Sequence, residues 1–317
     1  GNAINDILWS DVADGTLTWM KDGPSGVPAN LVSLGAGSVF SSSHVRAGDV
    51  NGDGMIDLVF AFSWQSAFGW LQSSDGAGGF YPPRAIEAAV DSPGDLTLAD
   101  IDADGDLDIA LTHVETKDVV WHENVDGGGR FGPRLVVGTL GLGFLHVCAG
   151  NYASGPSLDF VSLDDTVLQR WPTSSAVAPS ATVHVAASGM LDSFEHAPAD
   201  INADGFVDVV VGTSSGALWF ANFDGAGNFG PAQPVFDAQA VRYIKAVDMD
   251  GDGDTDVVAW VSSGPVWAAN NGVGRFGPRQ PVVTTPSPPY AHFDVVDVNG
   301  DGARDFVAVS QSDTLVW

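Results

Sequence analysis

The sequence predicts an all-β fold, a seven-bladed β-propeller with four-stranded blades. Three markers that recur in one register about every fifty residues predict it: an Asp-rich loop, a Trp, and a Gly-rich turn followed by Phe. Short strands at even spacing with Gly and Pro turns are typical of β-sandwiches, barrels and propellers. A four-strand unit repeated at this period favours the propeller, in which each unit is one blade.

The first marker is the motif D-x-[DN]-x-D-G-x-x-D. Five intact copies begin at Asp49, Asp100, Asp200, Asp248 and Asp297. A sixth copy, 151–159, is in phase but has Ala and Gly at its third and fifth positions. The Asp that closes each copy falls at positions 6, 57, 108, 159, 208, 256 and 305. Seven closing Asp residues at nearly equal steps predict seven units.

The second and third markers recur at the same spacing as the first. A Trp follows each closing Asp by 11 to 13 residues, at positions 19, 70, 121, 171, 219, 267 and 317. The Gly-rich turn ends in Phe-Gly-Pro in 126–133, 224–231 and 271–278. Apolar runs between the markers divide each unit into four short strands. We expect the Trp side chains to pack between neighbouring blades, because a large aromatic side chain fills the wedge between two sheets.

These units predict a single β-propeller domain over 1–317 whose first and last repeats are incomplete. Seven units of about fifty residues need roughly 350 residues, more than the chain has. We therefore expect a missing segment or a neighbouring chain to complete the ring. Six complete blades with extra strands is the alternative.

The intact loops have the chemistry of a hard-cation site on the blade rim. Calcium takes six to eight oxygen ligands, and alternate residues of a tight loop turn their side chains to one point. Positions 1, 3, 5 and 9 would supply side-chain oxygens, position 7 would supply its backbone carbonyl, and Gly at position 6 permits the sharp turn. Zinc prefers His or Cys, which the loops lack, and rigid octahedral magnesium fits less well.

The sequence therefore predicts calcium as the cofactor, with about five ions, one in each intact loop. The predicted ligands are Asp49, Asn51, Asp53, Met55, Asp57; Asp100, Asp102, Asp104, Asp106, Asp108; Asp200, Asn202, Asp204, Phe206, Asp208; Asp248, Asp250, Asp252, Asp254, Asp256; Asp297, Asn299, Asp301, Ala303 and Asp305. We expect no ion at 151–159, which has lost two ligands. Because crowded carboxylates repel one another without metal, we expect calcium to stiffen and stabilise the fold.

A second candidate site lies on the strand before each loop, which we expect to line the central channel. Five positions before the loops stand His44, Asp95, His146, Glu195, Tyr243 and His292. A ring of such groups is a candidate ligand site, and its members could act as acid, base and substrate clamp. A wet channel that merely tolerates polar residues explains the same pattern. Three further histidines, His113, His122 and His184, share no register, and we expect them at the surface.

Charge and hydropathy exclude some partners. The chain has 40 acidic and 12 basic residues, for a formal net charge of −28. Since no basic stripe is present to neutralise phosphates, we expect no nucleic-acid partner. No apolar run reaches the roughly 18–20 residues that span a bilayer, so we expect no membrane insertion.

In its loop motif and its Phe-Gly-Pro turns the sequence resembles the FG-GAP/VCBS repeat family, the class that includes the integrin α-subunit propeller. The resemblance covers essentially the whole chain. It implies calcium loops that join the first and second strands of each blade on one rim. It also implies an extracellular or cell-surface location, where millimolar calcium fills weak sites, and binding of a protein or a glycan more often than catalysis.

Three functions stay open at this point. The leading one is a non-catalytic, calcium-stabilised extracellular binding or adhesion module, lectin-like or protein-recognising. The second is a polysaccharide lyase or another carbohydrate-active enzyme that uses the central channel, although the sequence contains no nucleophile elbow, phosphate loop or metalloprotease motif. The third is a structural subunit of an extracellular assembly, in which a neighbour completes the ring.

Overall fold

The computed structural model describes residues 6–10, 17–22, 28–33, 44–62, 67–88, 93–139, 146–153, 155, 157–163, 167–173, 181–184, 196–237, 239–282, 290–310 and 315–316. All regular secondary structure in these residues is β-strand, which confirms the all-β prediction. Among the described residues there is accordingly no helix that is long and apolar enough to cross a membrane.

The described strands group in chain order into seven antiparallel sheets. Sheet 1 contains β1 (Ile7–Ser10), β2 (Leu17–Asp22) and β3 (Pro28–Ser33). Sheet 2 contains β4 (His44–Gly48), β5 (Asp57–Phe62), β6 (Ala67–Leu71) and β7 (Arg84–Ala88). Sheet 3 contains β8 (Pro93–Ala99), β9 (Asp108–His113), β10 (Asp118–His122) and β11 (Leu135–Thr139).

The same order repeats in the second half of the chain. Sheet 4 contains β12 (His146–Gly150), β13 (Asp159–Leu163), β14 (Val167–Pro172) and β15 (Ala181–His184). Sheet 5 contains β16 (His196–Ala199), β17 (Asp208–Thr213), β18 (Gly216–Phe220) and β19 (Gln233–Asp237). Sheet 6 contains β20 (Val241–Val247), β21 (Asp256–Val261), β22 (Gly264–Ala268) and β23 (Gln280–Pro281). Sheet 7 contains β24 (Tyr290–Val296), β25 (Asp305–Ser310) and β26 (Leu315–Val316).

The second strand of each four-stranded sheet explains the apolar run that follows each Asp-rich loop. Every residue of β9, β17 and β21 is buried. A strand at the edge of a solvated sheet would alternate between apolar and polar residues, whereas a strand covered on both faces is apolar throughout. The runs after the loops are therefore continuous because a neighbouring sheet lies on each face.

The hydrophobic core lies between successive sheets rather than at one centre. One cluster joins Val210 and Trp219 of sheet 5 to Val257 and Ala259 of sheet 6. Others join sheets 2 and 3, sheets 3 and 4, sheets 4 and 5, and sheets 6 and 7. Burial of apolar area in these seams is the main force that holds the described sheets together.

The first strands of the sheets form the inner edge of the array. β4 lies beside β8, β8 beside β12, β12 beside β16, β16 beside β20, and β20 beside β24. Closure into a ring of seven stays a prediction, as does a single domain over 1–317. Each sheet from 2 to 7 has one Asp-rich loop between its first and second strands, and we give that loop the number of its sheet. The loops are loop 2 (49–57), loop 3 (100–108), loop 4 (151–159), loop 5 (200–208), loop 6 (248–256) and loop 7 (297–305).

The Trp marker loses its register in sheet 4. In sheets 2 and 5 the marker Trp pairs with the residue two positions after the closing Asp, as Val210 does with Trp219. In sheet 4 that place belongs to Arg170, which pairs with Val161, and Trp171 lies one position further on. A slip of one residue turns a side chain to the other face of the sheet. Trp171 accordingly packs back against sheet 3, where a Cβ on Gly138 would lie 2.0 Å from its ring.

Candidate metal centres

Each intact loop is a tight turn whose backbone matches the predicted motif. Gly at position 6 has a positive φ in all five, for example 82° at Gly54 and 101° at Gly105. Residues with a Cβ rarely adopt this conformation, so the motif requires Gly there. Position 4 is also left-handed, and two loops place alanine there, with φ of 67° at Ala103 and 56° at Ala203.

The side-chain oxygens at positions 1, 3 and 5 are held by the loop's own backbone amides. In loop 2, Asp49 Oδ2 accepts from the Gly54 N–H at 2.8 Å, and Asn51 Oδ1 accepts from the Asp53 N–H at 2.9 Å. Asp53 Oδ1 in turn accepts from the Met55 N–H at 2.8 Å. The bond from position 6 to position 1 recurs in the other four intact loops at 2.8 to 3.2 Å. These bonds orient the oxygens toward one point before any ion binds.

Two loops bring three carboxylates close enough for one cation. In loop 3, one oxygen each of Asp100, Asp102 and Asp104 lies within 4.8 Å of the other two, and in loop 6 the same is true of the carboxylates at positions 1, 3 and 5. Asp100 Oδ1 is buried and accepts no hydrogen bond from the described residues. A buried carboxylate oxygen without a donor is costly, and a hard cation would satisfy it. The donor set therefore fits calcium.

The closing Asp at position 9 has a different environment from positions 1, 3 and 5. Asp208 is fully buried, and its two oxygens accept the N–H of Ile201 at 3.0 Å and the N–H of Asn222 at 2.7 Å. The same pair of bonds occurs at Asp57, Asp108 and Asp256. Neither Asp108 nor Asp256 belongs to the three-carboxylate groups. The closing Asp thus ties its loop to the Gly-rich turn, and its role as a calcium ligand stays a prediction.

Burial also changes the acidity of the closing Asp. Desolvation raises the pKa of Asp108 and of Asp208 to about 6, although two backbone N–H groups oppose the shift at each carboxylate. It raises the pKa of Asp57 and of Asp256 as well, for the same reason. Nearby loop carboxylates add to these shifts, because like charges favour the neutral form.

Sequence reasoning missed an Asn that lies three residues after the marker Trp. Asn222 Nδ2 donates to Val207 O of its own loop at 3.2 Å and to Tyr152 O of loop 4 at 2.8 Å. Asn124 and Asn270 make the equivalent bonds to position 2 of loops 2 and 5, at 2.8 and 2.6 Å. The Trp-x-x-Asn spacing shared by the third, fifth and sixth repeats was the available signal. These bonds link loops 2, 4 and 5 to the sheet that follows each of them.

Loop 4 is held by an ion pair instead. It has Ala153 and Gly155 at positions 3 and 5, and its closing Asp159 accepts a hydrogen bond of 2.7 Å from Arg170 Nε. Both members of this ion pair are buried, and Arg170 Nη1 also donates to Ala226 O of sheet 5 at 2.8 Å. A guanidinium therefore supplies the positive charge beside the closing Asp of loop 4.

The inner strands bring part of the predicted channel set together around Asp95. Asp95 Oδ1 lies 3.6 Å from His44 Nδ1 and 3.3 Å from Arg46 Nη2, both on β4. Its Oδ2 accepts from the Val147 N–H of β12 at 3.2 Å. Asp95 thus connects the first strands of three successive sheets, and the pairing with Arg46 compensates its charge.

The other members of the channel set are placed less completely. Tyr243 lies on β20, half-buried, and packs against the core between sheets 6 and 7. His146 and His292 lie on β12 and β24, but their side chains are outside the described residues. Glu195 lies outside the described residues altogether. Only His44 and Asp95 are therefore shown to meet.

The expectation that His113 and His122 lie at the surface is wrong. His113 is 0% exposed and His122 is 2% exposed. His122 packs edge-on against Phe68 of sheet 2, with ring centroids 4.9 Å apart. The local sequence does not reveal this burial, because the covering residues belong to the neighbouring sheet. The side chain of His184, on β15, lies outside the described residues.

Solved structures of low sequence identity share this fold. A lectin of Agrocybe aegerita, solved to explain its recognition of non-reducing terminal N-acetylglucosamine, is 20% identical with a TM-score of 0.69, covering 96% of this chain and 85% of that one. BBS1N in complex with ARL6DN is 10% identical with a TM-score of 0.65, covering 99% and 87%. The Dos1 propeller is 9% identical with a TM-score of 0.54, covering 80% and 61%. These likenesses confirm the propeller fold class.

Comparison of sequences identifies the repeat itself. No curated protein matches the chain in sequence. The family model described as the FG-GAP-like repeat matches residues 49–111, 200–259 and 248–308, which together are more than half of the chain. Each match begins at position 1 of an intact loop and ends within the second strand of a later sheet. The chain therefore belongs to the FG-GAP-like repeat family.

Proposed function

We propose that the protein is a non-catalytic, calcium-stabilised binding module that works outside the cell and recognises a protein or a glycan. The observation that carries the calcium part is the convergence of Asp100, Asp102 and Asp104, with a buried Asp100 oxygen that no described donor satisfies. Family membership supports the same site, because the matched repeats coincide with the intact loops.

The binding part rests on the fold and on what similar propellers do. The Agrocybe aegerita lectin recognises N-acetylglucosamine, and BBS1N was solved in complex with a protein. A fold shared at such low identity does not carry its ligand with it, so the ligand class needs its own test. The described Gly-rich turns expose Phe223 and Val273, which are 63% and 61% accessible and would be available to a partner.

The extracellular location is supported by the solvent exposure of the loops. Most loop residues at positions 4 to 6 are exposed, so the sites would fill where free calcium is high. The single cysteine also suits an oxidising environment. Cys148 is half-buried, with its Sγ 3.1 Å from the Tyr152 hydroxyl, and desolvation raises the pKa of its thiol to about 12, which keeps it unreactive.

Calorimetric titration tests the calcium site directly. We expect calcium, added to protein stripped with EGTA, to bind with a stoichiometry near the number of intact loops. A variant with D100N, D102N and D104N should lose one site, and a variant with N151S in loop 4 should lose none. An unchanged stoichiometry in the triple variant, or no calcium binding at all, contradicts the proposal.

A glycan array, run with calcium and with EGTA, separates the two ligand classes. Calcium-dependent binding to defined sugars assigns a lectin-like role. Binding to no glycan, together with capture of a purified cell-surface protein, assigns protein recognition. Hydrolysis or elimination of an array sugar contradicts the non-catalytic proposal.

The second candidate is a carbohydrate-active enzyme at the inner edge of the sheets. The approach of His44 to Asp95 favours it, because a carboxylate beside an imidazole is a common acid–base pair. Arg46 on the same carboxylate favours a structural role instead. Loss of turnover on polysaccharides in H44A, with the thermal midpoint unchanged, would assign the enzyme, and the absence of any wild-type turnover removes it.

A further inference from the structure

Position 3 of loop 2 is an asparagine followed by a glycine, Asn51-Gly52. An Asn side chain can react with its own backbone when the next backbone nitrogen reaches its Cγ. Glycine hinders this approach least, because it has no Cβ. Loop 7 has the same pair, Asn299-Gly300, whereas loop 5 has Asn202-Ala203 at these positions. The three loops therefore allow one reaction to be compared within a single chain.

The side chain of Asn51 is folded back over the peptide group of Gly52. Its Oδ1 accepts a hydrogen bond of 2.9 Å from the Asp53 N–H. This bond closes a small ring that contains both Asn51 Cγ and Gly52 N, so the two atoms that would react are kept close together. Asn202 and Asn299 make the same bond, at 3.0 and 2.8 Å. This turn alone therefore does not distinguish the three loops.

The hydrogen bonds of the reacting groups do distinguish them. The Gly300 N–H donates to Asp297 Oδ1 at 2.6 Å, whereas the exposed Gly52 N–H donates to no acceptor among the described residues. Because the nitrogen must lose this hydrogen before it attacks, a carboxylate that binds the hydrogen opposes the reaction. Asn51 Nδ2, the atom that would leave, is buried and also has no acceptor in the described part of the chain.

A third Asn-Gly pair, Asn271-Gly272, lies in the Gly-rich turn of sheet 6. Asn271 Oδ1 accepts two backbone N–H groups, from Val273 at 3.3 Å and from Arg275 at 3.2 Å. To turn the face of its amide toward the next nitrogen, Asn271 must break both bonds, whereas Asn51 must break one. Since each lost hydrogen bond adds to the barrier, Asn51 is the most reactive of the Asn-Gly pairs that the structure describes.

The reaction is deamidation, and its atoms balance with water as the only co-reactant. Gly52 N loses its proton to solvent and attacks Asn51 Cγ, so that a C–N bond forms, the Cγ–Nδ2 bond breaks, and ammonia leaves with a proton from solvent. One water molecule then opens the cyclic imide. Opening at Cγ gives aspartate, whereas opening at the backbone carbonyl gives isoaspartate, in which the main chain runs through Cβ and Cγ.

We propose that Asn51 is a self-modification site, which deamidates when loop 2 holds no ion. Aspartate at this position would give loop 2 the three carboxylates at positions 1, 3 and 5 that converge in loops 3 and 6. Isoaspartate would lengthen the main chain of the loop by one atom and move the ligands apart. A bound calcium ion would fix Asn51 Oδ1 and prevent the rotation. This protection rests on the proposed calcium site, whereas the reaction itself does not.

Peptide mapping by mass spectrometry of the full chain, kept in EGTA, tests the reaction. We expect Asn51 to lose its amide faster than Asn271 and Asn299. Labelling by isoaspartyl methyltransferase should detect the isoaspartate product in the same peptide. A rate at Asn51 that is no faster than the rate at Asn299 overturns the proposal.

The substitution G52A should slow deamidation of Asn51 about tenfold or more, a change of about 1.4 kcal/mol in the barrier. Alanine fits at this position, because Ala103 and Ala203 adopt the same left-handed conformation in loops 3 and 5. A Cβ on Gly52 would also lie 3.6 Å from Gly127 O, which is an ordinary contact. A G52A rate equal to that of the wild type overturns the proposal.

The reciprocal substitution A203G gives loop 5 the sequence environment of loop 2. The Ala203 N–H, like that of Gly52, donates to no acceptor among the described residues. A203G should therefore raise the rate at Asn202 about tenfold or more, again about 1.4 kcal/mol in the barrier. An Asn202 that stays as slow as in the wild type overturns the proposal, even if G52A should fail to fold.

Calcium gives the test of the protection. At a free concentration of 100 times the dissociation constant about 1% of the loops are empty, so the rate at Asn51 should fall about 100-fold relative to EGTA. An equal rate with calcium and with EGTA overturns the protection and, with it, the proposed calcium site of loop 2. A slow reaction in EGTA overturns the deamidation alone, so the two failures are distinguishable.

Discussion

Sheets 4 and 5 hold the closing Asp of their loops in different ways. In sheet 5 the closing Asp208 is buried between two backbone N–H groups, and the loop before it has the full set of calcium-ligand positions. In sheet 4 the closing Asp159 is held by Arg170 at 2.7 Å, and the loop has lost its ligands at positions 3 and 5. Sheet 5 would depend on a bound calcium ion, whereas sheet 4 has the guanidinium of Arg170 as its own cation.

This difference teaches that the closing Asp is retained for a reason other than calcium. Asp159 persists in a loop that has lost two ligands, and there it pairs with a residue that also bonds to Ala226 O of sheet 5. The common task of the closing Asp is to join its loop to a neighbouring strand or turn. Where the other ligands are present, calcium would stabilise this connection further.

Removal of calcium should give the largest contrast between the two sheets. Each site filled at a free concentration of 100 times its dissociation constant contributes about 2.7 kcal/mol to the free energy of unfolding. In EGTA we expect the amides of loops 3, 5 and 6 to lose protection in hydrogen–deuterium exchange mass spectrometry, while 157–163 and 167–173 keep theirs. Magnesium in place of calcium is the control. Equal loss of protection in loop 4 would contradict the comparison.

The substitution R170M should destabilise the protein by about 3–5 kcal/mol, because it leaves Asp159 buried without its partner. The loss should be the same with calcium and with EGTA, as measured by urea denaturation. R130M is the matched control, since Arg130 is exposed in the Gly-rich turn of sheet 3, and its effect should stay within about 0.5 kcal/mol. A loss that disappears in EGTA would show that Arg170 acts through a metal.

The metal-free protein should lose stability as pH rises from about 4 to about 6. Burial raises the pKa of Asp208 to about 6, so the folded state binds a proton in this window that the unfolded state does not. A shift of two units corresponds to about 2–3 kcal/mol for each such residue. Denaturation in EGTA at several pH values measures the slope, and D208N should reduce it. D237N, at an exposed position on β19, should leave the slope unchanged. A free energy of unfolding that rises with pH over this range would contradict the prediction.

The substitution N222A should have the smallest effect, about 1–3 kcal/mol, because it leaves the carbonyls of Tyr152 and Val207 without their donor. Exchange at loop 4 should increase although the substituted residue is in sheet 5. N228A removes an exposed amide from the same Gly-rich turn and serves as the control. If exchange rises in sheet 5 alone, the bond does not connect the two sheets.

The repeat made most of this fold predictable. The loop, the Trp and the Gly-rich turn each depend on residues that are close in sequence. Their spacing therefore predicted the strands and the position of the loops. The convergence of Asp100, Asp102 and Asp104 followed from the same local geometry. What the sequence could not give depends on contacts between sheets, where the partners are about seventy residues apart, as Asn222 and Tyr152 are.

Contacts between sheets also decide what the repeat spacing leaves open. Trp171 packs between two sheets as expected, but it lies one position later on its strand than the Trp of sheets 2 and 5, so it faces the preceding sheet 3. His122 was expected at the surface because it shares no register with the other histidines, whereas Phe68 of sheet 2 covers it. Periodicity predicts which face of its own sheet a side chain lies on. It does not predict which residues of the neighbouring sheet cover that side chain.

The bonds at position 2 of the loops have a consequence for the order in which the chain is made. The carbonyls of Val50, Ile101, Tyr152 and Ile201 each accept a hydrogen bond from the sheet that follows. Loops 2, 3, 4 and 5 are therefore each completed by residues that come later in the chain. A chain that ended before the next sheet would leave the position 2 carbonyl of its last such loop without this donor.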